Sequence, residues 1–200
     1  MMEIVKIDKN NKEYYINNLK NRGESVQRNI ILAVDNILDD VKQNGDSAVV
    51  KYTNKFDSEV INAQNMKVTV DEIKKAYETV DKNFISAIKK AKENIEFYHE
   101  KQKQRSWMVT KEDGIMLGQQ VRPLDVVGIY VPGGTAAYPS SVMMNTIPAK
   151  VAGVKKVVMV TPPSKDGGIN PNILVAADIA GVDEIYKVGG AQGIGALAYG

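Results

Sequence analysis

The sequence predicts an α/β fold in which a helical N-terminal region precedes a parallel βαβαβ sheet. In the first half of the chain, apolar residues recur at the i, i+3, i+4 spacing of amphipathic helices. From Val126 onward, short runs rich in β-branched residues alternate with helix-like segments that end at glycines. These strand-like runs begin about every 30 residues, which is the length of a βαβ unit. The sheet is therefore expected to be parallel, with right-handed crossovers.

The helical N-terminal region is predicted to cover residues 1–105. Gly45 is expected to end the first long helix and Asp46 to cap the next, since glycine favours helix ends and aspartate favours N-caps. Asp71 is expected to cap a later helix that follows a short strand. The last helix of the region would be about 30 Å long at 1.5 Å per residue. The predicted elements are helices over 24–44, 47–56, 71–79 and 82–103 and a strand over 66–70.

A β-hairpin over residues 106–121 is expected to join this region to the sheet, because Asp113-Gly114 lies between two apolar runs. An incomplete α/β domain is then predicted over residues 122–200. Pro148 is expected to kink or shorten the first helix of this domain, because proline removes a helix hydrogen bond. The predicted strands are 126–131, 157–161 and 184–188, and the predicted helices are 140–152, 171–180 and a last one from about Ala191, with Gly153 and Gly181 after the first two.

The composition indicates an ordinary soluble protein of the cytoplasm. Lys and Arg number 26 against 24 Asp and Glu, and this formal charge of +2 predicts no nucleic-acid partner. The absence of cysteine removes disulfides and thiolate metal sites. No apolar run approaches the ~20 residues that span a bilayer, and the polar start of the chain has no signal-peptide pattern. Neither a membrane nor a secreted location is expected.

Two glycine turns are the candidate binding elements. The first predicted strand runs into Val131-Pro132-Gly133-Gly134, and the third runs into Gly189-Gly190-Ala191-Gln192. Glycines let backbone N–H groups approach a ligand, and helix N-termini at the carboxyl edge of a parallel sheet attract anions and nucleotides. The first turn could equally be a tight connection that needs glycine for a positive φ and binds nothing.

Tyr130 and Gln192 are the side chains of interest beside these turns. Tyr130 lies at the strand end, although this position favours an ordinary strand tyrosine with its ring in the core and its hydroxyl at the rim. Gln192 is the polar group best placed to face a ligand, the alternative being solvation of a helix N-terminus. Residues 193–198 match the G-x-G-x-x-G/A fingerprint, but no acidic residue follows about 20 positions on, and these glycines could equally serve close helix–sheet packing.

Candidates for catalysis and metal binding are scarce. His99 is the single histidine, and it stands on the charged flank of the long helix. Neither a second histidine nor a cysteine is present to complete a zinc set, and no nucleophile elbow, Walker loop or H-E-x-x-H motif occurs. No catalytic and no metal-ligating residue is assigned. Without a candidate base or metal ligand, the chain is expected to be catalytically inactive alone.

Taken together, a set of motifs resembles the histidinol dehydrogenase family, zinc enzymes that oxidise histidinol to histidine with two NAD in successive steps. The motifs are Arg22-Gly23-Glu24, the Phe97–Gln102 region, Arg122-Pro123 through Gly134, Tyr138–Gly153 and Gly189–Gln192. Two departures are small: the family more often has alanine at the positions of Gly193 and Gly195, and Tyr98 is an extra residue in its region. The resemblance implies a Rossmann-like cofactor domain of the histidinol dehydrogenase and aldehyde dehydrogenase type.

The resemblance also implies cofactors, partners and roles. Of the family's NAD contacts, the strand-end tyrosine matches Tyr130 and the glutamine of the second glycine turn matches Gln192. The catalytic Glu-His pair, the zinc ligands and most contacts to L-histidinol belong to later segments of a chain roughly twice as long. The sequence is therefore interpreted as the N-terminal part of a homodimeric enzyme, ending inside its cofactor domain. The alternatives are a stand-alone nucleotide- or phosphate-binding module and a structural or dimerisation element.

Overall fold

The computed structural model describes residues 5–21, 28–133 and 137–200, which divide into two units, Met1–Asn36 and Ile37–Gly200. The first unit holds α1 (Lys12–Asn21) and the beginning of α2 (Arg28–Asn44). α1 has no counterpart among the predicted elements. The predicted start of the next helix, at residues 24–27, lies outside the described residues.

The second unit contains the end of α2 and all later elements. From Val126 onward the predicted boundaries agree closely with the observed ones, which confirms the alternation of strands and helices. The elements are α3 (Asp46–Phe56), α4 (Val70–Thr79), α5 (Lys82–Gln102), β1 (Trp107–Thr110), β2 (Met116–Gln119), β3 (Val126–Tyr130), α6 (Pro139–Ala152), β4 (Lys156–Thr161), α7 (Pro171–Ala180), β5 (Glu184–Lys187) and α8 (Gly190–Tyr199).

Local side-chain bonds fix the helix starts, and two predicted caps are wrong. Thr69, not Asp71, caps α4: its Oγ1 accepts the N–H of Glu72 at 3.3 Å, and Oε2 of Glu72 accepts the N–H of Thr69 at 2.9 Å. This reciprocal pair is a capping box, and it leaves Asp71 inside the first turn. Asp46 is likewise the first residue of α3, because Gly45, with φ +54°, occupies the cap position.

The strand predicted over residues 66–70 is reduced to a single antiparallel bridge between Lys67 and Tyr186. Two backbone bonds hold it, from the N–H of Val68 to the carbonyl of Ile185 at 2.9 Å and from the N–H of Lys187 to the carbonyl of Met66 at 2.7 Å. The chain turns into α4 directly afterwards, so it runs beside β5 too briefly to form a ladder.

The sheet is parallel, in the order β3-β4-β5, and confirms the predicted βαβαβ topology. α6 and α7 pack on one face, with α5 and α4 behind them, and α8 packs on the other face together with α3. Val131, Val157 and Val175 lie fully buried in the core between the sheet and the helices α6 and α7. α8 covers its face only in part, and a cavity of about 500 Å³ remains beside Leu197.

α6 runs through Pro148 to Ala152, so the shortening expected from this proline does not occur. The buried residues Met143 and Ile147 anchor the turns of the helix that directly precede Pro148. Gly153, with φ +96°, then ends the helix in the left-handed conformation, as predicted.

The predicted hairpin is confirmed as the antiparallel pair of β1 and β2, with Trp107 opposite Gln119 and Thr110 opposite Met116. Asp113 accepts the N–H of Ile115 at 3.2 Å, and Gly114 takes φ +83°. Its apolar side chains are largely exposed. No helix in the described parts of the chain combines the length and the apolar character that crossing a membrane requires.

Candidate functional site

The candidate site lies where the carboxyl ends of β3, β4 and β5 meet. The turn after β3 and the turn after β5 both pack against Pro162, which follows β4. A Cβ built on Gly133 would lie 2.8 Å from the Cγ and the carbonyl oxygen of Pro162, and one built on Gly189 would lie 2.6 Å from its Cβ. Any larger residue would therefore separate the turns, so the glycines serve close packing at a sheet edge where ligands bind.

The first glycine turn is described as far as Gly133, and Gly134 and Thr135 lie outside the described residues. Gly133 does not have a positive φ. The alternative in which the turn needs glycine for a positive φ is therefore wrong for position 133. Glycine is required there because the backbone lies so close to Pro162.

Tyr130 is the last residue of β3 and lies opposite Val160 of β4. It is half-buried, as a strand-end tyrosine with a buried ring and an accessible hydroxyl would be. The N–H of the next residue, Val131, donates to the carbonyl of Val160 at 3.0 Å, which fixes the strand end where the turn begins. Tyr130 therefore stands at the same edge as both turns.

Gln192 is the third residue of α8 and is 0% exposed. Its Nε2 donates to Oδ2 of Asp57 at 3.5 Å, while its Oε1 has no hydrogen-bond partner among the described residues. It does not cap α8, whose N-cap is Gly189 without a side-chain bond. The alternative in which Gln192 solvates a helix N-terminus is therefore wrong, because the side chain is buried.

The first turn of α8 leaves backbone donors available. Gly190 is exposed and has φ +56°, and the N–H groups of the first helical turn have no intrahelical acceptors. The positive end of the helix dipole lies at this point. An exposed, uncapped helix start at the carboxyl edge of a parallel sheet suits a phosphate group.

The glycines of the fingerprint have a packing role. A Cβ on Gly193 would lie 3.4 Å from atoms of Val188, and one on Gly195 would lie 3.1 Å from a methyl group of Leu38. The distance at position 193 is an ordinary van der Waals contact, whereas position 195 is tight, so α8 packs closely on α2 because Gly195 carries no side chain. This favours the close-packing alternative over a dinucleotide fingerprint.

Asp57 is the residue of the site that sequence reasoning missed. It is the C-cap residue of α3, far from the glycine turns in the chain. Burial raises the pKa of its carboxyl group, and nearby Lys165 and the Gly189 backbone N–H offset only part of that rise. A single aspartate after a helix gives no signal of this kind, because its importance comes only from the contact with Gln192.

A loop between β4 and α7 forms a second wall at this edge. Ser164 donates to Oδ1 of Asp166 at 2.5 Å, and the N–H of Gly168 donates to the same oxygen at 3.1 Å. Together with Gly133 and Thr161, the loop lines a cavity of about 430 Å³. The carboxylate of Asp166 accepts hydrogen bonds from residues of its own loop, so its role is to stabilise the loop.

His99 lies away from the site. It is half-buried on α5 and lines a different cavity of about 410 Å³ with Arg122 and Pro148, toward the amino ends of the strands. Within residues 5–21, 28–133 and 137–200, no three His, Cys, Asp or Glu side chains come together as a metal site would require. At the described edge, the groups available to a ligand are the side chain of Tyr130, the backbone N–H groups of the first turn of α8 and the unpaired Oε1 of Gln192.

An open parallel sheet with glycine turns at its carboxyl edge defines a class of α/β domain that binds nucleotides. Comparison with known proteins gives the particular family. The family profile described as histidinol dehydrogenase matches residues 20–200, and the chain belongs to this family.

Individual relatives agree with this assignment. A histidinol dehydrogenase of Clostridium acetobutylicum is 61% identical over 188 residues, which are 94% of this chain and 43% of that protein. One of Bacillus subtilis is 56% identical over 84% of this chain and 39% of the relative. The crystal structure of histidinol dehydrogenase from Elizabethkingia anophelis matches with a TM-score of 0.80 at 38% identity, over 86% of this chain and 39% of that one. The chain thus spans less than half the length of these relatives.

Proposed function

We propose that this chain is the NAD-contacting N-terminal part of a histidinol dehydrogenase, which oxidises L-histidinol to L-histidine in two hydride-transfer steps of histidine biosynthesis. The supporting observation is the packing of both glycine turns on Pro162 at the carboxyl edge of the sheet, where Tyr130 ends β3 opposite Val160. Family membership makes a nicotinamide dinucleotide the ligand that best fits this edge.

The residues at the edge fit NAD. Gly133 and Gly189 let both turns pack on Pro162 with their backbones at the sheet edge, and the buried Oε1 of Gln192 lacks a partner among the described residues. In the proposal, Tyr130 borders the dinucleotide, Gln192 contacts it from the second turn, and the free N–H groups of α8 meet its diphosphate. NAD supplies the hydride acceptor, and this chain supplies its position.

Zinc, which the family resemblance implies, does not fit the described residues, because they bring no ligand set together. The described residues therefore do not support a zinc-dependent reaction step. Hydride removal from an alcohol also needs a group that takes the hydroxyl proton. The one histidine, His99, stands far from the glycine turns on α5, so we propose that the chain is inactive alone.

The proposal also assigns a role to each of the three parts of the chain. Residues 122–200 form the cofactor part, residues 106–121 the joint, and residues 1–105 a helical region with a role in assembly. We propose a homodimer, to which the exposed apolar side chains of the hairpin could contribute. L-histidinol and the catalytic groups would be held by segments that the relatives have beyond the length of this chain.

The test is a calorimetric titration of the purified chain with NAD, with AMP as the comparison ligand. We expect saturable NAD binding that Tyr130→Ala weakens about tenfold, since an aromatic contact of this kind contributes about 1 kcal/mol or more. Tyr98→Ala, at an exposed position on α5, is the matched control and should bind normally. Equal binding of AMP would support a general nucleotide or phosphate module. No binding by a demonstrably folded chain would contradict the proposed role.

A further inference from the structure

The carboxylate of Asp57 and the amide of Gln192 meet beneath the second glycine turn, although 135 residues separate them in the sequence. Nε2 of Gln192 lies 3.5 Å from Oδ2 of Asp57, at the long limit of a hydrogen bond. The same oxygen lies 3.2 Å from the position that a Cβ on Gly189 would take. One carboxylate oxygen therefore contacts both the amide and the turn.

The contact decides how the amide is oriented. A carboxylate oxygen is only an acceptor, so it attracts the NH₂ group of Gln192 and repels the amide oxygen. A 180° rotation of the amide would place two oxygens against each other. With Nε2 held by Asp57, Oε1 is the atom left free, and it has no partner among the described residues.

The free oxygen is buried directly behind the turn. A Cβ on Gly190 would come 2.5 Å from Oε1, so only glycine at this position lets the turn backbone lie against the oxygen with no side chain between them. Gly190 itself is exposed. A buried amide oxygen without a partner is rare in native proteins, and a functional role is one of the recognised explanations, beside strain and a bound water or ion.

We propose that Asp57 is a positioning residue of the dinucleotide site, which holds the Gln192 amide so that Oε1 is the acceptor offered to the ligand. An acceptor pairs with a hydroxyl or an N–H group and repels a phosphate oxygen. The matching part of the ligand is therefore a ribose hydroxyl, the adenine amino group or the carboxamide N–H of the nicotinamide, while the phosphates meet the N–H groups of α8. This inference rests on the proposed function, because it takes the ligand to be NAD.

The first test observes the amide without any ligand. In ¹⁵N NMR spectra, the side-chain NH₂ signals of Gln192 are assigned by their loss in Gln192→Ala. We expect Asp57→Ala to shift these signals and speed their exchange with water, whereas Asp57→Asn, which keeps an acceptor oxygen, should retain most of the protection. Glu59→Ala, an exposed carboxylate two positions on, is the matched control. Unchanged signals in Asp57→Ala would overturn the inference.

The second test is a double-mutant cycle on NAD affinity in the full chain. We expect Asp57→Ala to weaken binding about tenfold, equal to about 1.4 kcal/mol, and Asp57→Asn to recover most of it. In the Gln192→Ala background, Asp57→Ala should have no further effect, because Asp57 acts through that amide. Additive losses would show a merely structural role and overturn the inference.

The two tests separate the inference from the proposed function. If the folded wild-type chain binds no NAD while the NMR signals respond to Asp57→Ala, the proposed function fails and the positioning role fails with it, although the Asp57–Gln192 pair stands. If NAD binds and the NMR signals do not respond, the proposed function survives and the inference alone fails.

Discussion

Nζ of Lys187 lies 2.5 Å from Oε1 of Glu72, and the two side chains are 9% and 33% exposed. Lys187 is the last residue of β5, directly before the second glycine turn, and Glu72 belongs to the capping box of α4. Burial alone would raise the pKa of Glu72, but the hydrogen bonds from Lys187 and Thr69 outweigh it and lower the pKa below its usual value. The ion pair thus joins a helix start to the strand that leads into the candidate site.

Removing the cation of this pair should destabilise the fold. We expect Lys187→Met to reduce the free energy of unfolding by about 2 kcal/mol, less than the roughly 3–5 kcal/mol of a fully buried pair because water reaches Glu72 in part. Urea denaturation measures the change. Lys74→Met is the matched control, since Lys74 pairs with Asp71 on the same helix at 3.4 Å but both side chains are at least 70% exposed. Equal effects of the two substitutions would contradict this account.

A second prediction concerns acid stability. Glu184 accepts hydrogen bonds from Lys67 at 2.9 Å and Lys156 at 3.0 Å, and these cations lower its pKa to about 2. A carboxyl whose pKa is lower in the folded state stabilises the fold above its unfolded pKa, and this contribution is lost as the pH falls through the folded pKa. Glu184→Gln should therefore be less stable than the wild type at pH 7.

The difference should persist down to about pH 4.5, the ordinary glutamate pKa, and then shrink toward pH 2. Denaturant unfolding at several pH values measures it. Glu93→Gln, which removes an exposed carboxylate paired with Lys90 along α5, serves as the control and should show little difference at any pH. A gap between Glu184→Gln and the wild type that remains constant to pH 2 would rule out this assignment.

A third prediction separates backbone strain from crowding at the second turn. Gly190 and Gly45 have nearly the same φ, +56° and +54°, but a Cβ at Gly45 meets nothing within 4 Å, whereas one at Gly190 meets the Gln192 amide. Gly45→Ala should cost about 1–3 kcal/mol from backbone strain alone, because φ +54° with ψ −135° is a conformation that favours glycine. Gly190→Ala should cost its own backbone strain and, in addition, about 1–2 kcal/mol from the contact with Oε1.

Thermal unfolding of both variants, and of Gly190→Ala combined with Gln192→Ala, tests this explanation. In the Gln192→Ala background, Gly190→Ala should cost only its backbone strain, because the crowded amide is gone. If removing the Gln192 side chain does not relieve the cost, the crowding explanation is wrong.

A fourth prediction concerns Thr146 on the buried face of α6. Its Oγ1 is buried and has no hydrogen-bond partner among the described residues. Because an unpaired buried hydroxyl is unfavourable, Thr146→Val, which has a similar shape, should raise the free energy of unfolding by about 1 kcal/mol. Thr79→Val is the control, since Oγ1 of Thr79 donates to the carbonyl of Ala76 at 3.0 Å and its loss should not stabilise the fold. A destabilised Thr146→Val would show that the hydroxyl does have a partner.

The sheet and its helices were predictable because their signals are local. Continuous apolar runs, the glycines after α6 and α7 and the Asp-Gly pair of the hairpin each fix an element within a few residues. The wrong caps of α3 and α4 arose where neighbouring residues had similar propensities, and at α4 the Thr69-x-x-Glu72 capping-box pattern, which was overlooked, distinguished Thr69 from Asp71.

The candidate site was predictable only in part. The glycine turns and Tyr130 could be placed at one edge, because parallel strands bring their carboxyl ends together. The burial of Gln192, its bond to Asp57 and the shared packing of both turns on Pro162 depend on long-range contacts. Such contacts arise from tertiary packing, which residue spacing does not encode.

The distance in sequence between Asp57 and Gln192 has a consequence for how the protein is made. A ribosome adds about 5–20 residues per second, so the 135 residues between them take on the order of ten seconds. During that interval α3 has emerged, but its terminal carboxylate has only water to bind. The second glycine turn reaches its final form only when α8 docks on α3, so the candidate site is completed well after Asp57 has been synthesised.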